Sequence, residues 1–339
     1  MTKLIDLSAV SEILTALPDP VFVIDKQRMI VASNSAADTL FSSHLLEQHL
    51  SFVMRAPAVL QAADDALLNQ KSSKVLYQVR SPIARSYDVY VSPMGERYAL
   101  LTIRDLTHME NVERMRSDFV ANASHELRTP LATLSGFIET MQGSAKNDPK
   151  ARDQFLGIMK AQADRMAVLI DDLLSLSRVE MNEHVAPSEK ADLADITRQT
   201  RELLVATAKD LNCEIALDLP QSLPVIGDAH QLSQVVYNVM ENAIKYGASG
   251  KRIEVVGRAL ANTTVLSLRD FGPGIAAHHV PRLTERFYRV NVQDSRNRGG
   301  TGLGLAITKH IINRHRGKLV IESEIGKGST FNIVLQSYK

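Results

Sequence analysis

A mostly apolar seven-residue repeat in the middle of the chain limits the possible folds most strongly. Between residues 149 and 182 its members recur at alternating steps of four and three: Phe155, Met159, Gln162, Met166, Leu169, Leu173 and Leu176. This spacing predicts a long helix that buries one seam against other helices. A second helical pattern precedes it, from Asp105 to Gly143, and Asp148 and Pro149 then supply a helix cap and a proline at the first helical position.

Two long helices joined by a short connection form a helical hairpin. One hairpin has too little surface to bury a seam of this length, whereas two hairpins can form a four-helix dimer. We therefore expect a homodimer built on a four-helix bundle. A monomeric hairpin that packs on another domain of the same chain is the alternative.

The first helix of this hairpin carries a histidine with chemically useful neighbours. His125 is followed by Glu126, and Thr129 shares its face of the helix because residues four apart lie one above the other. A carboxylate that holds one ring N–H leaves the lone pair of the other nitrogen free, so the imidazole can act as a nucleophile near pH 7. Pro130 cannot donate to the carbonyl of Glu126, and we expect the helix to bend or loosen there. A surface histidine on an ordinary helix is the simpler interpretation.

The patterns on either side of the hairpin indicate two further domains. Residues 1–105 read as a short helix, two strands, small helices and three strands, which is typical of an α+β domain. Residues 183–189 are polar and form a predicted linker. Helices and strands alternate beyond it. The predicted division of this multidomain α+β chain is therefore 1–105, 106–182 and 183–339.

Two clusters in the last domain have side chains that suit a nucleotide. Asn238, Asn242 and Lys245 lie on one face of a predicted helix, where amide oxygens suit Mg²⁺ and an ammonium group suits phosphates. Asp270 ends a predicted strand, and Gly272 and Gly274 follow it. The glycines permit close approach of a ligand, and a buried carboxylate can accept from an exocyclic amine such as that of adenine.

Two further clusters follow in the chain. The first is the segment 286–289, which includes Phe287 and Arg289. The second is a glycine-rich loop that leads into a helix, where the loop amides and the helix N-terminus form an anion site. The residues of this loop are Gly300, Thr301, Gly302, Leu303 and Gly304. A glycine turn that ends at Thr330 lies beyond it. Glycines alone usually mark turns. The fixed order of all four clusters, downstream of the histidine helix, indicates a nucleotide site.

Composition excludes several other classes of protein. The 339 residues carry 39 basic and 38 acidic side chains, a net charge of +1, which argues against a nucleic-acid partner. The single Cys213 excludes a disulfide framework within one chain. The sequence has no apolar run of 18 residues and does not open with a signal peptide, so we expect a soluble, cytoplasmic chain.

These motifs together resemble the two-component sensor histidine kinases from about residue 112 to the C-terminus. The segment 125–130 is similar to the H box, 238–246 to the N box, 270–274 to the first G box, 287–289 to the F box and 302–304 to the second G box. Within the family, the segments 115–131 and 283–289 are most similar to the phosphate-regulon sensor kinases, although Leu283-Thr284 replaces the more usual Ile-Phe of the F box. Residues 1–105 loosely resemble a PAS sensor domain in strand order.

The resemblance implies a fold and a role for each matched residue. The fold would comprise a PAS-like sensor domain, a dimeric helical hairpin for phosphotransfer and an α/β-sandwich ATP-binding domain of the GHKL type. His125 would accept the γ-phosphoryl group of ATP, with Glu126 as its base, and Thr129 would orient water to dephosphorylate the partner response regulator. The nucleotide contacts are implied as follows: Asn242 holds Mg²⁺ with Asn238 beside it, Lys245 contacts the phosphates, Asp270 reads adenine, Tyr246 packs near it, and residues 286–304 form a mobile lid.

Two alternative classes of protein remain open at this point. Chaperone, mismatch-repair and topoisomerase ATPases share the nucleotide fold, but they need no phosphorylatable histidine in a hairpin. A dimeric signalling scaffold that acts mainly as a response-regulator phosphatase would use the same hairpin face. The phosphate-regulon kinases are usually membrane-anchored, so we expect either a soluble member or an anchor outside this sequence.

Overall fold

The computed structural model describes residues 7–42, 44–79, 84–291 and 300–338, and these form two compact units. The first unit comprises Met1–Asp118 and the second Phe119–Lys339. The boundary between the units lies within one long helix. The division into three domains made from the sequence stays a prediction.

The first unit is a five-stranded antiparallel sheet with helices. Its elements are α1 (Leu7–Thr15), β1 (Val21–Ile24), β2 (Ile30–Ser33), α2 (Ser35–Phe41), α3 (Leu50–Val53), α4 (Pro57–Asn69), β3 (Ser73–Val79), β4 (Arg85–Met94) and β5 (Tyr98–Asp105). The strand order is β2-β1-β5-β4-β3. The predicted two strands, small helices and three strands are therefore confirmed, and of the helix predicted in residues 1–17 the structure describes α1.

Asn34 connects several elements of this unit through one buried amide. Its Oδ1 accepts from the backbone N–H groups of Val21 (3.1 Å) and Ala37 (3.0 Å). Its Nδ2 donates to the carbonyls of Leu14, Leu17 and Asp19 at 2.9–3.2 Å. The bonds to Val21, Ala37 and Leu14 are buried, so loss of the amide would remove hydrogen bonds that water cannot readily replace. Asn34 therefore fixes α1 and its following turn against the strand β1.

The helical hairpin has the predicted length and connection. It consists of α5 (Thr107–Gln142) and α6 (Pro149–Met181). The side chain of Asp148 accepts from the amides of Lys150 and Ala151, and α5 continues through Pro130. The seam predicted on α6 faces inward: Leu169 and Leu176 are buried, and Phe155 packs on Phe137 with ring centroids 5.0 Å apart.

The C-terminal part of the second unit is a layer of helices on a five-stranded sheet. Its elements are β6 (Lys190–Asp192), α7 (Leu193–Asp210), β7 (Glu214–Asp218), β8 (Pro224–Ile226), α8 (Ala229–Gly247), β9 (Arg252–Ala259), β10 (Thr263–Asp270), α9 (Gly304–Arg314), β11 (Lys318–Glu324) and β12 (Gly328–Gln336). The sheet order is β11-β12-β10-β9-β7, with β7 parallel to β9 and the other pairs antiparallel. The short pair β6–β8 was not predicted from the sequence. Apolar residues of α8, α9 and the sheet share one core with Leu169, Leu176 and Val179 of α6.

A buried histidine fixes the start of α8. His315 is only 4% exposed, and its Nε2 accepts from the amide of Asp228, the N-cap residue of α8, at 3.0 Å. Its Nδ1 donates to the carbonyl of Ile311 at 2.7 Å. Burial is the main reason that the pKa of His315 is lowered, so the ring is neutral and can accept and donate at once.

We expect His315→Gln to destabilise the second unit by about 2 kcal/mol at pH 7.5, because it removes one of two buried hydrogen bonds and leaves a gap. In the unfolded chain the imidazole takes up a proton below about pH 6.5, whereas the buried ring resists it, so the contribution is full above pH 6.5 and is lost as the pH falls below it. Denaturant unfolding of both proteins at pH 7.5 and 5.5 measures this. A difference in unfolding free energy between the two proteins that is larger at pH 5.5 than at pH 7.5 would contradict this prediction.

Candidate active site

The histidine proposed from the sequence lies on an exposed face of α5. His125 and Thr129 are both exposed, and the Thr129 hydroxyl donates to the backbone carbonyl of His125 at 3.2 Å. The neighbouring Glu126 is 13% exposed. Its Oε2 lies 3.1 Å from Nη2 of Arg289 and 3.5 Å from Nη2 of Arg165. The carboxylate beside the histidine is therefore held between two guanidinium groups.

Helix α8 presents the predicted phosphate-binding and metal-binding side chains on one face. Asn238 Nδ2 donates to the carbonyl of Gly304 at 3.1 Å, which ties α8 to the first residue of α9. The ammonium group of Lys245 lies 3.0 Å from Glu241 Oε2. Asn242 is half-buried between them along the helix. Amide oxygens and an ammonium group are the hard donor and point charge that suit Mg²⁺ and phosphates.

Among the described residues, no three His, Cys, Asp or Glu side chains form a group that could hold a metal ion. The donors present here are amides, and Mg²⁺ commonly completes such a site with waters and nucleotide phosphates. Such amides fit a magnesium–nucleotide pair, and the role of Asn242 as the protein ligand stays a prediction.

A buried carboxylate closes the end of β10. Asp270 is 6% exposed, and its Oδ1 accepts from the amides of Gly272 (2.9 Å) and Ser329 (3.3 Å). Burial raises the pKa of Asp270, and the backbone hydrogen bonds oppose that rise. A Cβ atom on Gly272 would lie 2.7 Å from the Cα of Gly247, so only glycine fits beside this carboxylate.

Three further predicted contacts surround Asp270. Gly274 has a left-handed φ of 70° and lies against the backbone of Glu324. Thr330 pairs with Arg269 across the β10–β12 register. Tyr246 lies at the end of α8 and is 39% exposed. The structure therefore gathers the first G box, the glycine turn and the end of the N box around one carboxylate.

The F box and the second glycine loop are folded against each other. Phe287 has a φ of 62°, and its amide donates to the carbonyl of Gly302 at 2.8 Å. A Cβ on Gly302, whose φ is 76°, would lie 3.0 Å from the Phe287 backbone. Within the loop, the amide of Leu303 donates to the Thr301 hydroxyl at 3.3 Å, and Gly300 precedes it. Residues 292–299, part of the lid predicted from the sequence, lie outside the described residues.

This loop contacts both helices of the hairpin. The Thr301 hydroxyl donates to Asp172 Oδ2 on α6 at 2.6 Å. Arg289 bridges the Thr301 carbonyl, at 2.8 Å, to Glu126 on α5. A second group of contacts lies farther along the hairpin: Arg286 pairs with Glu180 at 2.6 Å, and Phe287 packs on Phe119 with centroids 5.9 Å apart.

Sequence reasoning missed the hairpin side of these contacts. Asp172, Glu180 and Arg165 belong to no motif, and on a helix with many charged residues each looks like an ordinary solvated side chain. A weak signal was available for Asp172, because it lies next to the inward-facing Leu173 in a helix whose seam was already recognised.

Comparisons with known proteins agree with this geometry. Residues 115–182 match the His Kinase A (phospho-acceptor) domain, and residues 227–339 match the histidine kinase-, DNA gyrase B- and HSP90-like ATPase family. Over 330 residues the chain is 34% identical to the phosphate regulon sensor protein PhoR of Pseudomonas aeruginosa, with 96% of this chain and 73% of that protein covered. The chain belongs to the two-component sensor histidine kinases, which are ATP-dependent protein-histidine kinases.

Other relatives support the same family and fold. The sensor protein SrrB of Staphylococcus aureus is 28% identical over 95% of this chain and 55% of its own length. The Acinetobacter baumannii histidine kinase AdeS has a TM-score of 0.51 at 27% identity, over 63% of this chain and 98% of that one. Histidine kinase ThkA, solved in complex with response regulator protein TrrA, has a TM-score of 0.53 at 20% identity, over 96% of this chain and 98% of that one, which shows the fold alone.

The comparisons exclude one class of protein that the sequence left open. The ATPase match is shared with gyrase B and HSP90, but the phospho-acceptor match to residues 115–182 separates this chain from those ATPases. Within the described part of the chain, the helices lack any stretch long and apolar enough to cross a bilayer.

Proposed function

We propose that this chain phosphorylates its own His125 from Mg-ATP and passes the phosphoryl group to an aspartate of a partner response regulator. The observation that carries the proposal is the chain of contacts Thr301–Arg289–Glu126. It joins the second glycine loop, which is expected to hold ATP phosphates, to the carboxylate beside the exposed His125. Residues that act on the two reactants are thus physically connected.

The chain's own residues have distinct roles in this transfer. Glu126 accepts from one ring N–H of His125, so the lone pair of the other nitrogen attacks the γ-phosphorus, ADP leaves, and Glu126 takes up the ring proton. Asp270 accepts from the adenine amine, while Lys245 and the amides of the second glycine loop position the phosphates. Asn242 would hold Mg²⁺, which neutralises phosphate charge when bound. Most of the rate enhancement comes from positioning, as is typical of phosphoryl transfer.

The linker at 183–189 is proposed as the hinge that lets the ATPase domain approach His125. Contacts to α9 hold its start: Arg314 Nε donates to the carbonyls of Asn182 (3.2 Å) and Val185 (3.0 Å), and Glu183 lies 3.1 Å from His310 Nδ1. These are exposed or half-buried polar contacts, which cost little to break. The ATPase domain can therefore move about this linker at a small cost in free energy.

The test of the proposed reaction is incubation with γ-labelled ATP and Mg²⁺. We expect a label that is labile in acid and stable in base, because a phosphoramidate hydrolyses in acid whereas phosphoserine and phosphothreonine do not. A protein that binds ATP but takes up no label would contradict the kinase reaction and favour a scaffold that acts mainly as a phosphatase.

We further propose that the chain is a homodimer and that a receiver domain is its partner. Large apolar side chains remain 42–58% exposed on both hairpin helices: Val120, Leu131, Ile138, Leu156, Val168, Ile170 and Leu174. A second hairpin would cover such a surface as a four-helix bundle. The complex of ThkA with the response regulator TrrA is consistent with the proposed partner. A monomer in sedimentation equilibrium would contradict the dimer.

Phosphatase activity toward the same regulator is the second proposed function, and the Thr129 hydroxyl supports it. This hydroxyl donates its proton to the His125 carbonyl, so its lone pairs can accept from a water molecule beside the histidine. We expect Thr129→Ala to slow dephosphorylation of the regulator about tenfold or more, while autophosphorylation stays within about twofold. Thr129→Ser retains the hydroxyl and is the matched control. Equal phosphatase rates in all three proteins would contradict this role.

The input side of the protein is also a proposal. The strand order of the first unit is compatible with a PAS-like sensor domain, and the relationship to PhoR supports a role in phosphate-starvation signalling. Deletion of the gene should then abolish induction of phosphate-acquisition genes in low phosphate. Normal induction in the deletion strain would exclude this role.

A further inference from the structure

The hydroxyl and the carbonyl of Thr301 are both linked to the hairpin, the hydroxyl directly and the carbonyl through Arg289. Its hydroxyl proton is donated to Asp172 on α6, at 2.6 Å. Its carbonyl accepts from Arg289, which also binds Glu126 on α5. Thr301 is only 9% exposed. The loop that should receive phosphates is therefore attached to both helices of the hairpin.

Asp172 faces the nucleotide-binding elements from the opposite side. Its carboxyl group is half-buried, and burial is the main reason that its pKa is raised. The Thr301 hydroxyl and the ammonium group of Lys245 lower that pKa, whereas Glu241 and Asp171 raise it. Both groups that stabilise the carboxylate, Thr301 and Lys245, are residues expected to bind ATP phosphates.

The chemistry of these contacts sets a competition. A hydroxyl has one proton, so Thr301 cannot donate to Asp172 and to a phosphate oxygen at the same time. The Asp172 carboxylate also neutralises part of the positive charge of Lys245 that would otherwise attract a triphosphate. In addition, the negative charge of Asp172 repels the phosphates at short range. Asp172 and the phosphates therefore compete for the same two side chains, Thr301 and Lys245.

We propose that Asp172 is a positioning residue that holds the second glycine loop against the hairpin and competes with nucleotide phosphates for Thr301 and Lys245. The inference rests on the proposed nucleotide site. The docked form binds nucleotide poorly, and the undocked form binds it well, so the apparent affinity is reduced by the fraction of protein that is undocked. By linkage, nucleotide binding releases the ATPase domain from the hairpin. Asp172 thereby couples the nucleotide to the domain movement.

The test compares Asp172→Ala with Asp171→Ala in the full-length chain. The two substitutions remove the same charge from adjacent positions on α6, but Asp171 is exposed and Asp172 bonds to Thr301. We expect Asp172→Ala to bind ADP with Mg²⁺ about five- to tenfold more tightly, as removal of one charge-assisted hydrogen bond from the docked form requires. Asp171→Ala should stay within about twofold of wild type. Asp172→Asn retains an acceptor without the charge and should lie between them.

Hydrogen exchange distinguishes this coupling role of Asp172 from a purely structural one. In wild type, ADP should increase exchange in α6 around residues 169–176, whereas in Asp172→Ala exchange there should already be high without ADP. The KM for ATP in autophosphorylation should fall in the same variant.

Each other outcome has a defined meaning. Unchanged or weaker ADP binding by both Asp172→Ala and Asp172→Asn, in a wild type that does bind ADP, would overturn the inference and leave the proposed function intact. If wild type itself bound no ADP, the proposed nucleotide site and the inference would both fail. Thermal melting of each variant identifies any that is unfolded, and the milder Asp172→Asn then carries the test.

Discussion

His125→Gln should reduce γ-phosphoryl labelling to the background level while the protein keeps its fold and its affinity for nucleotide. The amide nitrogen of Gln is not a nucleophile because its lone pair is delocalised into the carbonyl, whereas a neutral imidazole presents a free lone pair. His125 is exposed, so its replacement should change stability by less than about 0.5 kcal/mol. Labelling with γ-labelled ATP, titration with ADP and thermal melting of one preparation measure the phosphorylation, the nucleotide affinity and the stability.

His44→Gln is the matched control for this experiment. His44 is exposed in the first unit and lies outside the hairpin, the proposed hinge and the motif segments. It should therefore label as wild type does. Label retained by His125→Gln would move the phosphorylation site elsewhere. Loss of label in both variants would indicate a general effect of histidine replacement and would remove the argument for His125.

The parts of the structure that were predicted correctly depend on local patterns. The seven-residue repeat and the Asp148-Pro149 signal fixed α6 at Pro149–Met181, close to the predicted 149–182. The strand predicted to end at Asp270 corresponds to β10 (Thr263–Asp270). For the helix, the period of the side chains reports directly which face is buried.

The parts that were missed depend on contacts between distant residues. The strands β6 and β8 have three residues each, too few for a period to appear, and they exist because they pair with each other. Asp172 meets Thr301 across 129 positions of sequence. Neither contact leaves a local pattern, since each residue type is ordinary for its own element.

The site shows the same division. The motifs predicted Asn238, Asp270 and Gly302 because glycines and amides at fixed spacing reflect backbone requirements, and their contact with a nucleotide stays a prediction. The orientation of individual side chains could not be predicted in this way. Sequence reasoning placed Glu126 beside the His125 ring, whereas the structure engages its carboxylate with Arg289 and Arg165, and its role as the base stays a prediction.

Asp270→Asn should weaken ATP binding about 100-fold without unfolding the protein. The Asn Oδ1 can still accept from the amides of Gly272 and Ser329, so the buried backbone groups keep their partner. The other oxygen becomes an NH₂ group, which is a donor facing the amine of adenine. A site that leaves two donors opposed and buried rejects its ligand strongly. Titration with ATP and a thermal melt measure both effects.

Guanine provides the matched ligand for this variant. Its O6 is an acceptor where adenine has an amine, so an Asn NH₂ group could donate to it. We therefore expect the preference of the protein for ATP over GTP to shrink in Asp270→Asn. An unchanged preference, together with unchanged ATP affinity, would remove Asp270 from the adenine site.

The pH dependence of binding gives an independent check on the same carboxylate. Because burial raises the pKa of Asp270, this group takes up a proton at a higher pH than an ordinary aspartate. A protonated carboxyl presents an O–H donor to the adenine amine, which is the mismatch that Asn creates. The ATP affinity of wild type should therefore fall as the pH is lowered through that raised pKa, toward the affinity of Asp270→Asn. The variant should lack this step, and an equal loss of affinity in both proteins would assign the titration to another group.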